Sequence, residues 1–572
     1  MKSEIRNPRS EGSPKSETRR TRLGNLFQTM HAQFTASSTR KSADILVRPN
    51  LSRVAPSGQE CPRSNHDAQY LRPVRSAPSL PFGFRISSAA PTGSILPLLL
   101  LAALAGCAVG PDYKRPGVDS PAAYRRAGSD TNAPAVTNSF ADLGWWQVFQ
   151  DPQLASYIGE ALTNNWDIKI AAARVLQAQA ALQIARSQFF PTIDAGGDIY
   201  TARSSQNGRV SVPSGMDPQK GYGDVFVGMS AYEVDLWGKI RRANEAARAR
   251  YLATEDAQKA VRQTLVAQVA TAYLGLLELD YELAIAQRTL AVRTNSLVLT
   301  EAREKGGVAA MQDVAQAKIL VYGAEASIVD IQRAREQQEN ALCMLLGRNP
   351  GLIQRGEGFA EKKARADVPP GLPSSLLGRR PDVQTAEQLL VAANADIGQA
   401  KAAFYPQLTL TGFYGYQSVA LSDLFNSASK AWQFGPAIAM PLFTGGRLKA
   451  NLKVTQAQYQ EALATYQRTV QGAFREVSDG LIFYQRSREF TARQAELTQA
   501  NREATDLANI RYDGGVTSYL EVLYNEQQLF AAELILAQAR LNELLSVVSL
   551  YRSLGGGWQA PVSQAQANAS SR

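Results

Sequence analysis

From Lys239 to Arg303 the chain runs some 65 residues without a proline and in an unbroken helical period, and it does so again from Arg447 to Arg511. At ~1.5 Å per residue each run would make a helix of roughly 100 Å, far longer than a globular core is wide. Along the first run Val266, Val269, Tyr273, Leu276 and Leu283 step in threes, fours and a seven, the narrow apolar seam by which one long helix packs on others. Such rods exclude an ordinary compact domain. The remaining sequence must say what kind of extended assembly they build.

The two runs are copies. At a constant separation of 208 residues, Gly238-Lys239-Ile240 matches Gly446-Arg447-Leu448, Gly306-Gly307-Val308 matches Gly514-Gly515-Val516, and Leu346-Gly347 matches Leu554-Gly555. A duplication therefore accounts for nearly everything after residue 150. Each unit opens with an alanine-rich helix (165–190 and 380–405) stopped by Pro191 or Pro406, and a β-like pair follows. In the second unit Leu408, Leu410, Gly412, Tyr414 and Tyr416 alternate with Thr409, Thr411, Phe413 and Gly415. In the first, "DVFVGMSAYEVDLW" is expected to put Phe226, Tyr232, Val234 and Leu236 on one face, and the polar segment 204–223 to form an exposed hairpin loop.

Past each Gly-Gly turn a returning helix (311–346 and 519–553) is about half as long as the one before it. The shortfall matches the length of the helix that leads into each strand pair. Two shorter helices are thus expected to stack end to end beside each long one, with the breaks at 345–358 and 366–382 partway down the rod. Four strands cannot close a membrane barrel, and open edges are not tolerated in lipid, so other subunits must complete the sheet. Three chains supply twelve strands, and two units per chain give sixfold pseudo-symmetry.

The net charge of +10 suggests a nucleic-acid partner until it is located. Residues 1–106 hold 15 Lys/Arg against 6 Asp/Glu, leaving 46 against 45 beyond, and no zinc-ligand spacing or recognition helix accompanies the basic leader. No nucleic acid is expected as a partner. Both histidines, His31 and His66, lie in that leader, and Cys61, Cys107 and Cys343 are too widely spaced for a metal site or disulfide framework. No nucleophile motif or phosphate loop is present, so neither an enzyme nor a cofactor or metal is expected. Cys343, in "ALCMLLG", reads as a buried structural thiol, and the glycines of "LGGGW" at 554 read as a helix stop.

The apolar run Ile95–Gly106 is too short to span a bilayer but suits a secretory signal, and it ends in Leu104-Ala105-Gly106-Cys107. This resembles the lipobox of bacterial lipoproteins, which implies cleavage before Cys107 and lipidation of that cysteine. Several acyl chains, at roughly 0.8 kcal/mol per buried methylene, would anchor the protein firmly. Ala108, where the resemblance gives Asp an inner-membrane meaning, points to the outer membrane. Signals normally begin near the first residue, so residues 1–75 are expected to come from an upstream start codon.

Together "CAVGPDYKRP" (107–116), "WWQVFQDPQL" (145–154), "LGRRPDVQTAEQLL" (377–390), "FYPQL" (404–408), "PLFTGGR" (441–447) and "RYDGGVTSYLEVL" (511–523) resemble the outer-membrane factor (TolC-like) family. Within it they resemble the NodT-type efflux lipoproteins of tripartite RND-type pumps. The resemblance implies a mainly α fold with a transmembrane β-barrel: a trimeric 12-stranded barrel continuous with a coiled-coil-like periplasmic tunnel. It implies a homotrimer in outer-membrane lipid that carries drugs or other small molecules, in an efflux or type I-like export system. Its partners would be a periplasmic membrane-fusion adaptor and an inner-membrane RND-type transporter. The expected domains are a leader and signal (1–106), a lipidated segment wrapping the equatorial region (107–164), a first repeat (165–350), an equatorial linker (351–379), a second repeat (380–558) and a disordered tail (559–572). The alternative is a periplasmic adaptor or coiled-coil scaffold lipoprotein. Adaptors, however, carry one hairpin flanked by compact β domains, where this chain has two hairpins with strand pairs.

The resemblance also places both turns at the periplasmic tips. Arg303, Gly306, Gly307 and Val308, with Arg511, Gly514, Gly515 and Val516, are the expected adaptor-docking tips, Asp313 accompanying the first. Tyr512, Glu521 and Tyr524 are the expected periplasmic gate: Tyr512 linking the tips, Glu521 forming an anionic ring of three in the pore. The sequence departs from the family at Tyr524, where a second acid is common, and at Thr517, where some members have arginine. Arg379-Arg380-Pro381-Asp382 reads as a helix start, with proline in the first turn and an acid complementing the dipole.

Overall fold

The computed structural model describes residues 108–559 except 122–123, 125–138, 206, 208–214, 363, 365–367, 370 and 372, so the leader and Cys107 lie outside the described residues. In chain order the elements are α1 (Trp145–Phe149), α2 (Pro152–Asn164), α3 (Trp166–Ser187), β1 (Ile193–Arg203), β2 (Gln219–Val234), α4 (Lys239–Lys305), α5 (Met311–Leu345), α6 (Pro373–Arg379), α7 (Pro381–Ala402), β3 (Gln407–Ser418), β4 (Lys430–Ala439), α8 (Arg447–Asp513) and α9 (Tyr519–Ser553). The long helices α4 and α8 have 67 residues each and the returning α5 and α9 have 35 each, close to the lengths expected from the sequence. Among the described residues no helix is long and apolar enough to cross a membrane.

Local chemistry fixes the helix starts. Asp151 caps α2, accepting from the Gln153 N–H at 2.9 Å and the Leu154 N–H at 3.1 Å, with Pro152 in the first turn. Asn165 caps α3 in the same way, accepting from the Asp167 N–H at 2.8 Å. Its amide also donates to the Leu345 carbonyl at 2.9 Å, so α3 begins where α5 ends. The equivalent junction joins α9 to α7: the Arg380 guanidinium donates to the Ser553 carbonyl at 3.2 Å. The end-to-end stacking expected from the helix lengths is therefore present at both junctions. Gly347 and Gly555, at φ +76° and +90°, turn the chain out of α5 and α9 there.

α4 packs on α5, α3, α7 and α9, while α8 packs on α9 and α7. The main core lies around these junctions, where Phe140, Trp145, Tyr157 and Ile158 of the preceding segment join Val269, Tyr273 and Leu276 of α4, Leu342 of α5, Tyr466 and Val470 of α8, and Leu550 of α9. All five seam positions, Val266, Val269, Tyr273, Leu276 and Leu283, are buried. So is Cys343, whose thiol donates to the Gly351 carbonyl at 3.3 Å.

The strands form one antiparallel sheet in the order β1-β2-β3-β4. Its two faces differ. Val225 pairs with Tyr416, Val227 with Tyr414, Leu408 with Ile438 and Tyr414 with Trp432, so these side chains share one apolar face. Asp198 opposite Asp224, Asp224 opposite Gln417, and Thr409 and Thr411 opposite Ala437 and Gly435 make the other face polar. The expectation for β2 needs correction. A register shift between Met229 and Tyr232 inserts a bulge, so Phe226 falls on the polar face while Tyr232 and Val234 stay on the apolar one. Leu236 lies beyond the end of the strand. Strict alternation, assumed across the whole segment, cannot survive one extra residue.

Candidate functional site

Each hairpin tip is closed by a pair of backbone hydrogen bonds that ends its long helix. The Val308 N–H donates to the Arg303 carbonyl and the Gly307 N–H to the Glu304 carbonyl, both at 2.9 Å. The second tip repeats this with Val516 on Arg511 and Gly515 on Tyr512, both at 3.0 Å. Only the second glycine of each pair is conformationally required: Gly307 and Gly515 sit at φ +73° and +72°, whereas Gly306 and Gly514 are right-handed helical. Beyond the first turn, Asp313 accepts from the Ala310 N–H at 3.3 Å and caps α5. Glycines and both valines of the turns are exposed.

The two tips touch. The Arg303 guanidinium lies over the Tyr512 ring at 4.5 Å from its centroid, and Tyr512 packs against Tyr519 at 5.1 Å between ring centroids. Tyr519 is buried with Val522, Leu523, Ala508 of α8 and Ala317 of α5, and burial pushes its hydroxyl pKa up. Glu521 is only half-buried, and its carboxylate is engaged within its own hairpin by Arg511 at 3.4 Å and by the Thr517 hydroxyl. Tyr524, one helical turn beyond Glu521, is 62% exposed. The structure thus brings Arg303, Tyr512 and Tyr519 into one cluster and Arg511, Thr517 and Glu521 into another. Sequence reasoning missed Tyr519, whose only sequence signal is an aromatic seven residues after Tyr512 across a turn, and assigned Thr517 no contact.

At the other end of the rods the first described residues form a strap along α4 and α7. The Val109 N–H donates to the Trp237 carbonyl at 3.0 Å, Asn394 donates to the Pro111 carbonyl at 2.8 Å, and Asp112 and Arg242 pair at 2.7 Å. Arg115 and Glu387 close it at 2.6 Å. Trp237, just past β2, stacks on Tyr405, just before β3, at 4.9 Å between centroids. The strap therefore begins at the foot of the sheet, one residue after Cys107.

Arg379-Arg380-Pro381-Asp382 does start a helix, with Pro381 in the first position of α7. Arg380 also clasps three elements: it is buried, grips Asp382 with two nitrogens at 2.9 and 2.7 Å, and pairs with Glu476 of α8 at 2.8 Å. These contacts raise its already high pKa against the opposing effect of burial.

The model of the outer membrane efflux protein family matches this chain over residues 157–348 and 372–556. The toluene efflux pump outer membrane protein TtgC of Pseudomonas putida is 37% identical over 480 residues, spanning 84% of this chain and 99% of that protein. The outer membrane protein OprJ of Pseudomonas aeruginosa is 34% identical over 470 residues, spanning 82% and 96%. Among solved structures, the open state of the MtrE outer membrane channel of Neisseria gonorrhoeae superposes with a TM-score of 0.71 at 30% identity, over 80% of this chain and all of that one, 100%.

Proposed function

The chain belongs to the outer membrane efflux protein family, and from that premise we propose how it assembles and conducts. It is the outer-membrane channel component of an efflux system, lying in the outer membrane and reaching into the periplasm. Three copies close a 12-stranded barrel over a 12-helix tunnel, each chain giving two structural repeats.

The observation that carries this reading is an inequality between two equivalent helices. α7 lies between α4 and α8, whereas of the two long helices α3 packs on α4, among the described residues. The uncovered side of α3 carries Leu176 at 65% and Ile184 at 69% exposure. If the repeats are equivalent, α3 needs an α8, and only another copy can supply it. The sheet makes the same demand. β1 and β4 have no outer neighbour among the described residues, and the operator that sets β3 beside β2 would set one chain's β1 beside another's β4. The apolar face then meets lipid and the polar face lines the duct.

The remaining assignments follow that frame. Cys107 carries the lipid, and the strap of described residues that follows it starts at Ala108, at the foot of the sheet. The segment 107–164 wraps the equator, 165–350 and 380–558 are the repeats, and 351–379 links them. Arg511, Gly514, Gly515 and Val516, with Gly306, Gly307, Val308 and Arg303 of the first tip, meet a periplasmic membrane-fusion adaptor that is coupled to an inner-membrane RND-type transporter. Tyr512, Glu521 and Tyr524 line the gate. Because Glu521 is paired with Arg511, the ring of three acids is a ring of ion pairs, and cations reach it only as those pairs loosen. No step of this function is catalytic. Purified protein should run as a heat-modifiable trimer and form ion-conducting pores in planar bilayers; a monomer that fractionates with the inner membrane and does not conduct refutes the reading.

A further inference from the structure

Above the tips, α4, α8 and α9 flank a half-open pocket of about 470 Å³ whose lining includes Arg288 and Arg293 from α4, Arg502 and Asp506 from α8, and Glu526 and Glu533 from α9. Three of these six groups are matched. Arg288 and Arg502 both hold Glu533, at 2.5 and 2.8 Å. Arg293 and Glu526 are not. Arg293 is 5% exposed, donates one nitrogen to the Leu320 carbonyl of α5 at 3.0 Å, and lies 5.0 Å from the Phe530 ring centroid of α9. Its Nε and Nη2 atoms, the edge that fits a carboxylate two-pronged, make no hydrogen bond. Glu526 is 7% exposed, and its Oε2 makes none either.

We propose that Arg293 and Glu526 are a two-position latch between the hairpins: unspent while Arg303 holds the tips together, and closed two-pronged when α9 shifts against α4, so that it favours the parted tips. The inference rests on the reading of the tips as a gate. Its physical basis is asymmetry of satisfaction, since a buried guanidinium edge and a buried carboxylate oxygen left unmatched both cost free energy that a small relative shift of two helices recovers. Burial pushes the Arg293 pKa down and the Glu526 pKa up, and the partner's charge opposes each shift without cancelling it, in keeping with the unmade hydrogen bonds. The other charges facing Glu526 do not substitute for Arg293: Arg288 and Arg502 are committed to Glu533, and Tyr519 lies toward the tip.

The test compares single-channel conductance of four full-length trimers: wild type, Arg303→Ala, Arg293→Met with Glu526→Met, and all three changes together. Arg303→Ala should raise open probability severalfold by freeing Tyr512. Adding the paired methionines should lower it again by about tenfold, the worth of a charge-assisted hydrogen-bonded pair gained on opening. An Arg303→Ala channel that is raised but indifferent to the methionines overturns the latch alone. One that stays at the wild-type level overturns the reading of the tips and the latch with it. Should the methionine pair fail to assemble, the exchange Arg293→Glu with Glu526→Arg keeps both charges buried together and should conduct as wild type does; a permanently altered channel then refutes the pairing.

Discussion

Replacing Leu176 by Asp distinguishes a lone chain from an assembled one. In the single chain Leu176 is 65% exposed, so a carboxylate there meets water and should change stability by no more than about 0.5 kcal/mol. Aligning Pro191 with Pro406 sets Leu176 against Val391 of α7, which packs on the alanines Ala246, Ala249, Ala392 and Ala395 and lies on a helix covered from both sides. If a neighbouring α8 covers α3 likewise, the uncovered part of the leucine side chain contributes roughly 1–2 kcal/mol to each interface. An aspartate in its place loses that and adds the desolvation of a charge, together about 3 kcal/mol or more per interface. Three interfaces per trimer multiply the penalty to roughly 10 kcal/mol. The assay is the temperature at which an unboiled detergent gel converts trimer to monomer. Leu176→Asp should abolish the trimer band at temperatures that leave wild type intact, while Leu176→Met, similar in volume, should not. A Leu176→Asp trimer as heat-resistant as wild type would refute the closure of α3 on a second copy.

Four further outcomes follow from the contacts. Gly515→Ala should destabilise the second tip by about 1 kcal/mol, because φ +72° strains any residue with a Cβ, while Gly514→Ala should be near neutral, as hydrogen exchange of the Val516 amide would register. Arg380→Met should cost about 2 kcal/mol, mostly by leaving the buried Ser553 carbonyl unmatched, since Glu476 and Asp382 are each more than a third exposed, and Arg380→Lys should not restore it, since an ammonium cannot grip Asp382 at two points while reaching Ser553; thermal melts read both. Burial, reinforced by Glu282, pushes the Glu278 carboxyl up to about 9. The folded state then binds a proton that the unfolded state releases near pH 4.5, so this contribution is full below that pH, fades as pH rises toward 9, and should vanish from the melting curves of Glu278→Gln. Glu521→Ala should change conductance or cation block if the carboxylate lines the pore, and an unchanged channel returns it to a solvated surface.

What the sequence disclosed and what it withheld divide along range. The long helices, their Gly-Gly-Val reversals and the end-to-end stacking were legible because each depends on chain-local rules: proline absence, glycine placement and length. The bulge in β2 was not, because "GMSAYEV" alternates well enough under either phase, and only pairing with β3 selects one. The clasp at Arg380 was half legible. Pro381 announces a helix start, but nothing near residue 380 points to Glu476 or to the Ser553 carbonyl, which approach only because α9 ends where α7 begins. The same limit applies at the tips. Arg303 and Tyr512 were singled out for separate duties, yet the structure places one over the other. Long-range pairing of two charged or aromatic groups leaves no periodic trace in either segment.

That contact bears on why the two halves differ. In the proposed trimer, equivalent repeats are what ring closure demands of α3 and α7, since each would fit between an α4 and an α8. At the tips the copies share the arginine, Arg303 and Arg511, and differ beside it: Glu304 and Met311 of the first stand where the second has Tyr512 and Tyr519, the ring under Arg303 and the ring packed against it. The tyrosines of the second tip therefore supply a cation–π attraction between the two hairpins of the chain. Because it is one half-exposed cation–π contact, worth about 0.5–1 kcal/mol, it is weak enough for a partner that binds the parted tips to overcome.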